Sequence, residues 1–177
     1  MTSALRGVVT SDSSDLDPRA LRDELEGFVL HESRVLDQHR YDEWSDLFAA
    51  DGVYWVPAML NQESPTNHIS LFYDDKATIK VRVARLRHPQ IHVQTPASRV
   101  CHVLSRVTVL PSDHSLGLYD VECSFSMLEY RTGWGVRNYG GRFQHTLRRN
   151  AEGFEIVMKR VDLINCDDTF PALAVPF

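Results

Sequence analysis

Cysteine is scarce, with three in 177 residues: Cys101, Cys123 and Cys166. They are widely spaced, odd in number and form no CxxC pair, so no disulfide framework is expected. They read as small apolar packing residues. Long apolar runs are missing too. The longest, residues 53–60, is interrupted by Pro57 and is far too short to span a bilayer. The first 15 residues hold one Arg and no apolar stretch of signal-peptide length. A cytoplasmic protein is expected. There is no basic excess: 24 acidic residues face 19 basic ones, a net charge of -5. That argues against a nucleic-acid footprint. Neither nucleic acid nor membrane is an expected partner.

Catalytic and metal signatures are also lacking. There is no GxSxG elbow and no Gly-rich phosphate loop. Eight histidines are present, yet no HxxxD or HExxH cluster supports an iron or zinc site. His88 and His92 are four apart, but Pro89 blocks the helix that would align them. Cys101-His102 does not build a Rieske site, because adjacent strand side chains point to opposite faces. No metal or cofactor is expected on this chain.

Residues 1–16 are rich in Ser, Asp and Thr and read as a loose arm, followed by a single domain over residues 17–177. Asp17-Pro18 is a helix start, with an acidic N-cap and proline at the first helical position. Leu21, Leu25, Phe28, Val29 and Leu36 recur at helical spacing, to about His39. A short second helix opens at Tyr41 with Trp44, Leu47 and Phe48 facing inward, and Asp51-Gly52 ends it as a turn. Strand candidates follow at residues 53–57 and 69–73. A third helix runs from Asp74-Asp75 to about Leu86, where His88-Pro89 stops it.

The second half alternates like strands. Residues 100–110, 118–130, 136–149 and 154–164 are four such segments separated by turns. Cys101, Val103, Val107 and Val109 share one parity in the first. Tyr119, Val121, Cys123, Phe125 and Met127 do so in the second, and Tyr139, Phe143 and Leu147 in the third. Helices first and strands afterwards indicate α+β. The expected architecture is a curved antiparallel sheet wrapped around the N-terminal helices, a cone with an apolar interior. Val100, Leu104, Leu118, Leu128 and Ile156 are expected on the outer face, as an interface with another subunit.

The polar groups with a path to the interior are His102, His145, Tyr54, Tyr73, Asp120 and Glu122. A buried His–acid pair could abstract a proton next to a carbonyl, as a stand-alone dehydratase or isomerase does. His102 and His145 are the candidates for that role. A self-associating domain that binds a small ligand is a third reading.

Five segments in order carry a resemblance: residues 41–52 (YDEWSDLFAADG), 54–57 (YWVP), 69–75 (ISLFYDD), 82–87 (RVARLR) and 160–165 (RVDLIN). Together they resemble the small (β) subunits of bacterial aromatic-ring-hydroxylating dioxygenases, from about residue 25 onward. The first segment occurs across the wider superfamily of cystatin-like cones. The resemblance implies that cone fold and a non-catalytic, structural role in aromatic catabolism. It implies a partner α subunit carrying a Rieske iron-sulfur cluster and a mononuclear iron. It also implies a β trimer within a hexamer of three α and three β chains. It carries over no catalytic, cofactor-binding or metal residue. Tyr54, Trp55, Arg160 and Asn165, in the matching segments, read as core ties or as interface contacts, and Arg82 and Arg85, at the Arg-rich helix end, as a solvated face or as a subunit contact.

Overall fold

The structure is a computed structural model and is described for residues 17–86, 96–112, 116–170, 173 and 175–177. The N-terminal arm and His88-Pro89 lie outside the described residues. Helix α1 spans Pro18–Asp37, and the Asp17 carboxylate accepts from Arg19 N at 3.0 Å. Leu25, Val29, Glu32 and Leu36 form its buried stripe, at the three- and four-residue steps that put side chains on one face. Helix α2 is Tyr41–Asp46. Strand β1 (Phe48–Pro57) and strand β2 (Ser70–Asp75) lead into helix α3 (Lys76–Leu86). Strands β3 (Arg99–Leu104), β4 (Thr108–Val109), β5 (Leu118–Arg131), β6 (Gly135–Asn150) and β7 (Gly153–Leu163) complete the sheet. The spatial order is β2-β1-β7-β6-β5-β3, with β4 on β5.

The sheet is mixed rather than wholly antiparallel, because β1 joins β7 in parallel. The chain between these two strands is long enough to return to the same end, as parallel pairing requires. The fold is otherwise the expected one, α1 packed inside a curved sheet. Among the described residues no helix is long and apolar enough to cross a membrane.

Three local expectations are corrected. Asp51-Gly52 is not a turn: β1 already begins at Phe48, and its register against β7 slips between Phe48 and Val53. A Cβ at Gly52 would lie 2.7 Å from Ile156 O, so glycine is there for close backbone approach. Strand β3 has the opposite parity to that expected. Val100 and Leu104 pack on the core, whereas Cys101 and Val103 are exposed. Ile156 is fully buried. The register of β7 shifts against Thr146/Leu147, so Phe154 and Ile156 face inward on one parity and Lys159, Val161 and Leu163 on the other. A bulge flips every side chain beyond it, and no apolar pattern announces one.

The core runs from Leu25 and Val29 on α1 through Trp44 to Phe143 and Leu147 on β6. Phe125 stacks on Phe143 with centroids 3.8 Å apart. Full burial of rings of this size contributes about 1.5–3 kcal/mol each.

Candidate functional site

Charged side chains sit inside this apolar cone. Glu32 occupies the buried stripe of α1, one turn from Val29 and Leu36. Its Oε1 accepts from Trp44 Nε1 at 2.9 Å and from Lys159 Nζ at 2.8 Å, and its Oε2 lies 2.9 Å from His145 Nε2. The side chains of Glu32, His145 and Lys159 are wholly shielded from solvent. Two helices and two strands thus converge on one carboxylate.

Burial alone would raise the Glu32 carboxyl, but the charges and hydrogen bonds of Lys159 and His145 outweigh it. They hold the group well below the usual carboxylate range. Burial pushes the Lys159 ammonium down, and Glu32 works against that shift. Because Glu32 is an acceptor, the hydrogen on His145 belongs on Nε2. His145 Nδ1 is buried and has no hydrogen-bond partner among the described residues.

A second pair lies at the end of α1. His102 Nδ1 is 2.7 Å from Asp37 Oδ1, and the His102 backbone N–H donates to both Asp37 oxygens at 3.1 Å. The His102 side chain is fully shielded, and its Nε2 has no hydrogen-bond partner among the described residues. Both histidines therefore meet an acid, but neither meets Asp120 or Glu122, the acids expected inside. Those two face the outer side: Asp120 accepts from Thr146 Oγ1 at 2.6 Å, and Glu122 from Gln144 Nε2 at 3.4 Å. Tyr73 is 52% exposed and takes no part in the interior.

Rings fill the space beside these pairs. The Phe143 ring lies 6.2 Å from His102, 6.1 Å from His145 and 4.5 Å from Lys159 Nζ. Phe177 is fully buried, with its N–H on Tyr54 Oη at 3.1 Å and its ring 5.2 Å from Tyr139. Burial raises Tyr54 and pushes the Cys123 thiol up to about 11, which keeps that thiol protonated at neutral pH. The donor set suits no cation, since an ammonium already sits on Glu32 Oε1. Among the described residues no group of three His, Cys, Asp or Glu side chains could hold a metal ion.

The expected interface residues fall in different places. Tyr54 is fully buried within its own chain, in the core. Trp55 lies beneath the Arg160 guanidinium, 4.4 Å from ring centroid to Cζ. Arg160 is itself held by Asp162 at 2.8–2.9 Å. Arg82 donates to Asp74 at 2.6 Å, Arg85 is exposed, and Asn165 is half-buried in the turn after β7. A groove of about 570 Å³ crosses the outer sheet face past Met59, Leu60, Arg142, Arg160 and Ile164.

Glu32 and Lys159 were missed in the sequence. The legible signal was a charge at a position that helical spacing assigns to the buried face. For Lys159 the bulge concealed even that.

Comparison with known proteins places these features in a family. Residues 31–167 match the family model described as ring hydroxylating beta subunit. The small subunit of 2-halobenzoate 1,2-dioxygenase from Burkholderia cepacia is 28% identical over 151 residues, covering 78% of this chain and 85% of that protein. The small oxygenase component of the p-cumate 2,3-dioxygenase system from Pseudomonas putida is 30% identical, covering 84% and 82%. The crystal structure of the benzoate 1,2-dioxygenase beta subunit from Burkholderia mallei superposes with a TM-score of 0.67 at 26% identity, covering 86% of this chain and 93% of that one.

Proposed function

This chain belongs to the ring hydroxylating beta subunit family, and from that premise we propose that it is the structural β subunit of an aromatic-ring-hydroxylating dioxygenase. It associates with an α subunit that carries the Rieske cluster and the mononuclear iron, in an assembly of three α and three β chains. The metals supply the oxidation chemistry on the α chain. The residues of this chain hold a rigid cone against which the α chains are kept in register, and it contributes no reacting group.

The observation that carries the structural role is the enclosure of Glu32, which is fully buried. All three donors around it belong to this chain, and Trp44 and the Phe143 ring pack against the cluster. A general base needs a lone pair directed at substrate and room for that substrate. The stand-alone dehydratase or isomerase draws support from the His102–Asp37 and His145–Glu32 pairs, but it also needs an open interior beside them.

The test is a tagged pull-down from the native host, followed by a visible spectrum and iron analysis. A larger brown partner with Rieske-type absorbance is expected. A colourless preparation with no partner, from cells expressing aromatic catabolism, would overturn the proposal and direct mutagenesis to His102 and His145.

A further inference from the structure

The sequence returns to the core after its last strand. Strand β7 ends at Leu163, yet Val175 is buried and Phe177 completely so. Residues 175–177 add no strand to the sheet. Pro176 has no N–H, and the Phe177 N–H makes this stretch's one hydrogen bond among the described residues, to Tyr54 Oη at 3.1 Å. The strands are held by ladders of backbone bonds, whereas Phe177 is held by its ring and that single bond. A segment tied so lightly opens at lower free energy than the sheet.

The Phe177 ring sits in an aromatic socket. Its centroid is 5.2 Å from Tyr139, edge to face, and 6.4 Å from Phe125. Tyr54 brings a hydroxyl to the same place, and its ring is braced by Trp44 at 5.4 Å and Phe72 at 6.0 Å. Tyr54 is fully buried, and burial raises its phenol, so the hydroxyl keeps its hydrogen at neutral pH. A buried phenol needs an acceptor for that hydrogen. The Phe177 N–H only donates, and no described residue accepts the Tyr54 hydrogen.

We infer that Phe177 is a displaceable plug in a socket for one aromatic ring, and that a neutral single-ring aromatic aldehyde or ketone takes its place there. The ring of such a molecule meets Tyr139 and Phe125 as the Phe177 ring does. Its carbonyl oxygen accepts the Tyr54 hydrogen, the bond that the Phe177 amide cannot make. A hydrocarbon leaves that hydrogen unpaired, a phenol brings a second hydrogen that needs an acceptor, and an ionised acid would bury a charge. The site belongs to this chain alone and does not depend on the α chain proposed above.

The test titrates acetophenone, with ethylbenzene as its hydrocarbon counterpart, into the full chain by calorimetry. Phe177→Ala removes the plug and keeps the backbone N–H. It should bind acetophenone about tenfold or more tightly than wild type, since the wild-type socket is free only in the minor, open fraction. The carbonyl stretch of the bound ketone should move to lower frequency in the infrared. Adding Tyr54→Phe should abolish that shift and weaken acetophenone about three- to tenfold, with ethylbenzene unaffected. In wild type, saturating acetophenone should speed hydrogen exchange at the Phe177 amide and leave helix α1 unchanged.

Absence of binding to Phe177→Ala, or equal affinity in wild type and variant, overturns the inference. So does a Phe177→Ala chain that no longer folds by far-UV circular dichroism, because a ring whose loss unfolds the cone is not displaceable. Ethylbenzene bound as tightly as acetophenone, with the carbonyl band unshifted, also overturns it and marks an ordinary packing cavity. Each result is read on this chain alone, so the pull-down of an iron-bearing partner succeeds or fails independently of it.

Discussion

Replacing Lys159 by Met should cost more stability than any loss of apolar packing at that site. Lys159 and Glu32 are both fully shielded, 2.8 Å apart. Met fills most of the same volume, so little cavity forms. What remains is a buried carboxylate with two donors, Trp44 and His145, and no full positive charge bonded to it. Removing one partner of such a pair costs about 3–5 kcal/mol. For a chain of this length each kcal/mol lowers Tm by about 2–4 °C, so the expected fall is about 6–20 °C. Urea unfolding followed by far-UV circular dichroism gives the free energy directly. A loss below about 1 kcal/mol would refute the reasoning, since it would mean that Glu32 accepts a proton or water at little cost.

The same carboxylate sets an acid limit. In the folded chain it lies well below the ordinary carboxylate value of about 4.5. A depressed carboxyl contributes stability that is complete above the unfolded value and is lost as pH falls toward the folded one. Below about pH 4.5 the wild type should therefore lose up to about 1.4 kcal/mol per pH unit through this group. Glu32→Gln should abolish that component. Equal acid slopes in the two proteins would show that the hub does not titrate this way.

Other outcomes follow from single contacts. Gly141→Ala should destabilise by more than about 2 kcal/mol, because its Cβ would collide with the Asp162 carbonyl across β6–β7; thermal melts would reveal this. Native protein should show one fast thiol toward an aromatic disulfide reagent and three after denaturation, since Cys101 is exposed while Cys123 and Cys166 are buried. Arg82→Glu should lower Tm by placing like charge beside Asp74, 2.6 Å from the present guanidinium. Arg85→Glu, at an exposed position, should leave Tm unchanged and weaken α-chain co-elution if that helix end is an interface; unchanged co-elution would remove Arg85 from it.

Much of the fold was legible in the sequence because its signals are local. Asp17-Pro18 caps a helix whatever surrounds it, and the alternation of Tyr119, Val121, Cys123, Phe125 and Met127 fixes one strand face by itself. The ordered segments between Tyr41 and Asn165 carried the resemblance to the family whose model matches residues 31–167. Tertiary structure decided the rest. Whether Asp51-Gly52 turns or continues depends on β7, more than a hundred residues away, arriving to pair with β1. Which parity of β3 and β7 faces inward depends on where the sheet bulges. The acids that meet His102 and His145 come from α1, at sequence separations of 65 and 113 residues. A charged side chain is allowed inside an apolar core only when partners from other elements neutralise it. That condition is met in space, and no local pattern records it.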